Sequence, residues 1–436
     1  MSPTIRTVTL GCKVNQYETE LVREGFARAG FTDAVEHESA DVCVVNTCTV
    51  TAEGDAKSRQ AIRRLARENP HARIVVMGCY ATRAPEEIAA IPGVAEVVTD
   101  KRELPDLLDR FGIHEMPTGI SRFANHHRAF VKVQDGCLLR CSYCIIPYVR
   151  PRMASRPWQP IVEEVGRLVE NGYREIVLTG IHLGHYGVDF NQGKPKSDWL
   201  RLSHLLDRLA MLPGEFRIRL SSIEATEVTR ELLEVMRTHA DRVCPHLHVC
   251  MQSGSDAVLR RMRRRWSNRH FLDRCRLIRD YLPDPALTTD VIVGFPGETD
   301  DDFQRTCDAV REAAFSKVHA FSFSARRGTP AASMPDQVPP QVRAARIGQL
   351  EQLAASLRDT FHRQQIGMPM EVLVETPPGS ELPLPAGLRA VRDRFQAFGT
   401  SCRYAPVLLT QPARNGRLHR AVARQFAEGC LIADLA

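Results

Sequence analysis

Short apolar runs alternate with amphipathic stretches in two series along the chain. In the first, the runs at residues 5–10, 42–45, 74–77 and 94–98 have the length of strands buried on both faces. The segments at 16–29, 55–69, 85–90 and 101–111 space their apolar residues as helices do. This βα alternation predicts an open parallel sheet over residues 1–112. Residues 113–128, IHEMPTGISRFANHHR, have breakers and no period, and read as a linker. The second series has six strand candidates, at 130–134, 175–179, 217–221, 247–251, 287–293 and 318–323, and each of the first five precedes a helix-forming segment. Six parallel strands are too few for a closed eight-stranded barrel, so residues 129–343 predict a partial (β/α)6 barrel. Residues 344–365 read as a long amphipathic connecting helix. Runs at 372–375, 405–409 and 429–433 make 366–436 a small β domain. The predicted class is α/β: open parallel sheet, partial barrel, small β domain.

At 436 residues, 43% hydrophobic and 25% charged, the composition is that of a globular protein of more than one domain. No uninterrupted apolar stretch approaches a membrane span, and MSPTIRTVTLGCK lacks the pattern of a secretory signal, so a cytoplasmic location is expected. A net charge of +6 permits a nucleic-acid partner without demanding one. Thirteen cysteines change the picture more. In a reducing compartment they do not form a disulfide framework, which leaves metal binding or catalysis to explain some of them.

Cys12 follows TVTLG, Cys48 follows VCVVNT and Cys79 follows IVVMG, each just past the carboxyl end of an expected strand. In an open parallel sheet those ends share one edge, where ligands bind. Three thiols far apart in sequence can therefore converge. Cys43 falls inside its strand and reads as packing. A second group, Cys137, Cys141 and Cys144, forms CxxxCxxC in GCLLRCSYCIIP, directly after the first barrel strand. Such a loop can wrap a 4Fe-4S cluster and leave one iron open to chelate a small molecule. Structural zinc is the competing reading, but it needs a fourth ligand that the spacing does not supply. Cys244, Cys250, Cys275, Cys307, Cys402 and Cys430 show no ligand pattern.

The CxxxCxxC loop on this strand of a partial barrel resembles the radical S-adenosylmethionine superfamily. The resemblance implies that Tyr143 packs on the adenine and that Thr179 and Gly180 approach the methionine amino group. It places Ser221, Ser222 and Glu224 near the ribose, with Gly294 to Gly297 as a close-approach loop. Adding the three N-terminal cysteines, the whole chain resembles the methylthiotransferases. TLGCKVNQYETE, NTCTVT, GCYATR, IIPYVR, VLTGIHLGHYG, LSSIE, MQSGSD, DVIVGFPGET and RRGTPAA resemble the branch acting on N6-threonylcarbamoyladenosine beside the tRNA anticodon. KVNQ at Lys13 to Gln16 is where the branches differ: the isopentenyladenosine branch usually has a Gln-Met-Asn type sequence there, and the ribosomal-protein branch a Pro-Lys-Asn type. Pro151, Cys250 and Arg327 depart from the family pattern without touching a proposed ligand.

What the resemblance implies is a transferase with two 4Fe-4S clusters, on Cys12, Cys48 and Cys79 and on Cys137, Cys141 and Cys144. Two S-adenosylmethionine molecules serve each turnover, one methylating a sulfur and one cleaved to remove hydrogen from carbon 2 of adenine. Its partners are the tRNA anticodon stem-loop, a one-electron reductant and a sulfur donor. A monomer is expected, with the C-terminal domain matching the family's RNA-binding TRAM domain loosely. For RNA contact, the basic segment LRRMRRRWSNRH offers Arg264, Arg265 and Trp266, and Arg150, Arg152 and Arg156 lie just past the cluster loop. The rival readings are methylthiolation of isopentenyladenosine or of a ribosomal-protein aspartate, an iron-sulfur electron carrier, and a metal-stapled RNA-binding module.

Overall fold

A computed structural model of the protein describes residues 2–35, 38–124, 126–376 and 381–436. Asn125, inside the expected linker, and residues 377–380, inside the expected C-terminal domain, lie outside the described residues. The first sheet contains β1 (Thr4–Thr9), β2 (Thr32–Asp33), β3 (Val42–Thr47), β4 (Arg73–Gly78) and β5 (Val94–Val97) in the order β2-β1-β3-β4-β5, with every pairing parallel. β3 is central and buried at every position, so its continuous apolar run has no polar face to show. The helix Lys13–Arg28 buries Val14, Tyr17, Val22 and Phe26 against the sheet and the barrel. The helix Ala52–Glu68 starts where the Thr51 side chain accepts from the Gly54 N–H, satisfying one of the free donors of its first turn.

The second series supplies β6 (Arg128–Asp135), β7 (Ala154–Ser155), β8 (Glu175–Gly180), β9 (Arg217–Leu220), β10 (Ser222–Ile223), β11 (His246–Val249), β12 (Ala286–Val293) and β13 (Lys317–Ser322). They form two sheets, β7-β6-β8-β9 and β10-β11-β12-β13, parallel except for β7. Because β9 and β10 are one chain segment interrupted at Ser221, the two sheets form a single curved wall of six strands. Outward residues such as Val131, Val133, Ile176, Leu178, Ile218 and Leu220 make the main core with the surrounding helices. The antiparallel β7 on the edge of β6 was not expected. Two residues leave no periodicity to read.

The helix Pro340–Gln364 leads to β14 (Pro369–Val374), β15 (Ala397–Ser401), β16 (Pro406–Leu409), β17 (Leu418–Ala427) and β18 (Cys430–Leu435), which close into a barrel in the order β14-β15-β16-β18-β17. Among the described residues no helix is long and apolar enough to cross a membrane.

The sheet domain is bolted to the barrel by polar contacts. Tyr17 donates to Glu164 at 3.0 Å, Lys132 pairs with Glu18 at 2.9 Å, and Arg326 pairs with Asp55, which also holds Arg83.

Candidate functional site

The carboxyl ends of β1, β3 and β4 place Cys12, Cys48 and Cys79 on one edge. Gly11 takes φ +105°, and a Cβ there would lie 2.9 Å from the Cys48 Cβ and 3.1 Å from its Sγ. Only glycine lets the two cysteine-bearing loops approach so closely. Cys12 is the N-cap of helix Lys13–Arg28, and Cys79 is the first residue of the helix Cys79–Arg83. Burial raises the Cys48 thiol to about 11, with the neighbouring Cys79 and Cys12 adding to the rise. A cation bound among these sulfurs reverses that balance, since metal ligation stabilises the thiolate.

The second group follows β6. Gly136 has φ +75°, and a Cβ would fall 1.7 Å from the carbonyl oxygen of Arg152, so no other residue fits the turn into the loop. The Cys144 N–H donates to the Cys141 carbonyl at 3.1 Å, and the Leu139 N–H points at the Cys137 sulfur at 3.4 Å. His182 Nδ1 lies 3.6 Å from the same sulfur, and its Nε2 lies 2.6 Å from a Glu227 oxygen. Arg264 donates to Cys141 Sγ at 3.1 Å and pairs with Glu224. Burial raises the Cys141 thiol, against the pull of that guanidinium.

Three sulfurs around a single zinc ion would stand about 3.8 Å apart, given Zn–S bonds of about 2.3 Å and tetrahedral angles. Among the described residues the groups whose ligand atoms all lie within 4.8 Å of one another are His182, His185 and Glu227, and His248, Asp290 and His319; neither cysteine triad is so tight.

Arg150 joins the two triads. Its Nε donates to Cys79 Sγ at 3.3 Å, and its Nη atoms reach Glu18, Asp135 and Asn15 at 2.7–3.0 Å. Its carbonyl accepts from the Cys137 N–H at 3.4 Å. One residue thus touches both cysteine groups.

This corrects the expectation that Arg150 guides RNA: it is 5% exposed and fully engaged inside the protein. Arg156 is likewise committed, to Glu164 at 2.8 Å and to the Tyr17 hydroxyl at 2.9 Å. Arg264 stacks 4.1 Å over the Trp266 ring, and Trp266 is 7% exposed, so neither offers a free surface. Arg152 and Arg265 are exposed. Charge reversal at both is expected to weaken tRNA binding and flatten the slope of log affinity against log salt by about one unit per lost phosphate contact. A salt titration that gives parallel lines for variant and parent would refute it.

The remaining sequence candidates are spread over the barrel's carboxyl edge and interior. Tyr143 packs edge-to-face on Phe295 at 6.4 Å, with its hydroxyl 3.4 Å from Arg264. Thr179 is buried at the end of β8, and Gly180 packs on Gln134. Ser221 is buried and Ser222 exposed on the wall of an interior cavity, whereas Glu224 is held by Arg264. The Gly294 N–H donates to Glu298 at 2.9 Å, and the Gly297 carbonyl accepts from Arg261 at 2.7 Å. Sequence reasoning missed His182 and Glu227. VLTGIHLGHYG contains His182, but nothing in its spacing links it to Cys137, 45 residues earlier.

A partial parallel barrel with a three-cysteine loop after its first strand defines a radical S-adenosylmethionine enzyme, and the second triad on an added α/β sheet narrows the class. The Radical SAM superfamily model matches residues 131–310, and that of the uncharacterized protein family UPF0004 matches residues 4–100. A threonylcarbamoyladenosine tRNA methylthiotransferase of Bacillus subtilis is 42% identical over 85% of this chain and 85% of its own. One from Thermotoga maritima is 36% identical over 85% and 86%. A tRNA-2-methylthio-N(6)-dimethylallyladenosine synthase of Acidothermus cellulolyticus is 34% identical over 99% of this chain and 88% of its own. Among solved structures, the radical S-adenosylmethionine methyltransferase TsrM of Kitasatospora setae superposes with a TM-score of 0.53 at 14% identity, covering 76% of this chain and 75% of that one. That likeness speaks for the fold alone. The chain belongs to the methylthiotransferase family of radical S-adenosylmethionine enzymes, which use iron-sulfur and S-adenosylmethionine chemistry.

Proposed function

We propose that the protein adds a methylthio group to carbon 2 of N6-threonylcarbamoyladenosine beside the tRNA anticodon. The observation that carries the reading is the pair of cysteine triads meeting across Arg150. In this reading Cys12, Cys48 and Cys79, within residues 1–112, would hold one 4Fe-4S cluster. Cys137, Cys141 and Cys144, within residues 129–343, would hold the other, and residues 366–436 would contact RNA.

An aromatic C–H bond is beyond ordinary acid-base groups, so bound S-adenosylmethionine and iron-sulfur clusters supply the one-electron chemistry. The protein's own residues hold and screen it. Arg264 donates to Cys141, and Arg150 to Cys79, placing a fixed positive charge beside each sulfur group. Tyr143, Phe295, Val258 and Met262 form an apolar cluster on one side of the loop. Support for the nucleoside comes from the relatives: those bearing the threonylcarbamoyladenosine name run from 34% to 42% identity, against 33% to 35% for dimethylallyladenosine synthases.

The test is anaerobic reconstitution with iron and sulfide, addition of S-adenosylmethionine, reductant and tRNA, and nucleoside analysis. The expected product is the 2-methylthio derivative of threonylcarbamoyladenosine. An unmodified tRNA pool beside methylthiolated ribosomal protein would overturn the reading.

A further inference from the structure

Inside the partial barrel lies a cavity of about 290 Å³. Its walls are the inward positions of the strands, among them Ser221, His246, His248, Asp290 and Lys317, and it extends to Lys13 beside Cys12. Alternation along each strand puts these polar residues inside while their apolar neighbours face the helices. Asp290 is the one carboxylate among the lining residues, against Lys13, Arg128, Arg219 and Lys317. The arginines are neutralised by Glu175 and Glu375. Lys13 and Lys317 make no ion pair among the described residues. Two buried polar atoms on the walls also lack partners there, Ser221 Oγ and His246 Nδ1, while His248 Nε2 faces an Asp290 carboxylate oxygen at 3.3 Å. Buried polar atoms in native proteins are almost always paired, so this set marks a place built for a polar ligand. At the open edge of the wall Phe321 is 48% exposed on an inward position, an aromatic face beside the cations.

We propose that this cavity receives the N6 arm of the target adenosine and that Lys13, aided by Lys317, binds its carboxylate, so that these lysines determine specificity. The inference rests on the proposed function. The hydroxyl of Ser221 and the free imidazole nitrogen of His246 suit the arm's hydroxyl and carbamoyl groups, which both donate and accept. A divalent cation on His248, Asp290 and His319 is the competing occupant. It would share the cavity with two unpaired ammonium groups, whereas an organic anion is attracted by both.

The test measures binding of reconstituted protein to anticodon stem-loops carrying threonylcarbamoyladenosine or its methyl ester, which differ by one charge. Parent protein is expected to prefer the acid by about tenfold or more, the worth of a charge-assisted hydrogen bond. Lys13→Gln and Lys317→Gln should each shrink the preference, and Lys13→Arg should retain most of it. Iron content and melting temperature monitor folding. Equal binding of acid and ester by a parent protein that methylthiolates threonylcarbamoyladenosine overturns this inference and leaves the function standing. A preference that EDTA abolishes also overturns it, in favour of a bridging metal. Methylthiolation of isopentenyladenosine alone overturns the function itself.

Discussion

On the two-cluster reading, replacing Cys12, Cys48 and Cys79 together by alanine is expected to lower bound iron from about eight to about four per chain, with equal loss of sulfide. The variant should still consume S-adenosylmethionine when reduced, but yield no methylthio nucleoside. The complementary Cys137, Cys141 and Cys144 variant is expected also to fall to about four irons and to lose reductive S-adenosylmethionine cleavage. This division follows from the geometry. The triads sit on different sheets, and the residue seen to touch both, Arg150, binds one through its side chain and the other through its carbonyl. Cys43, buried within β3, is the control: Cys43→Ala should leave iron unchanged. If the N-terminal triple variant kept all its iron, the first triad would be packing and the two-cluster reading would fail. Iron and sulfide assays with product chromatography decide the matter.

Cys137, Cys141 and Cys144 stood out in the sequence by their local spacing, and Cys12, Cys48 and Cys79 because strand ends in a parallel sheet share an edge, so topology turns three scattered positions into one place. The C-terminal barrel was only partly legible. β14, β16 and β18 have apolar runs, but β15 (AFGTS) and β17 (LHRAVARQFA) do not. A five-stranded barrel has little interior, and β15 fills its share with Ala397, Gly399 and Ser401. A Cβ on Gly399 would meet the Leu373 carbonyl oxygen at 2.2 Å. Small inward residues carry no hydrophobic signal. The arginines misled for a related reason. Composition marks charge, yet Arg150 and Arg264 are spent on sulfur and carboxylate partners that only the fold brings near. Lys13, which belongs to the one segment that sets the family branches apart, lines the barrel cavity, a position that periodicity could not reveal.

Glu175→Gln is expected to cost about 3–5 kcal/mol, the penalty for removing one partner from a buried ionic network. Glu175 is fully buried and accepts from Arg217 at 2.7 Å and Arg219 at 2.9 Å, with Arg128 at 3.7 Å. The arginines continue outward. Arg217 donates to the carbonyls of Glu371 and Thr400, and Arg219 to those of Cys402 and Ser401. One carboxylate therefore holds the partial barrel to the C-terminal barrel. Losing it leaves buried guanidinium groups facing one another, so the damage should concentrate at that junction. Limited proteolysis should release the C-terminal barrel before the rest unfolds, and the apparent melting temperature should fall. The pH dependence has a definite sign. Burial opposes ionisation of Glu175, but Arg219 and Arg217 hold its carboxyl well below the ordinary carboxylate range. Its stabilising contribution is then complete above that range and is lost as pH falls through the depressed value. Parent protein should show acid-induced release of the C-terminal barrel, whereas Glu175→Gln should be equally loose at neutral and acidic pH. A variant that melts like its parent, with the same acid sensitivity, would show that the network stabilises nothing at this junction.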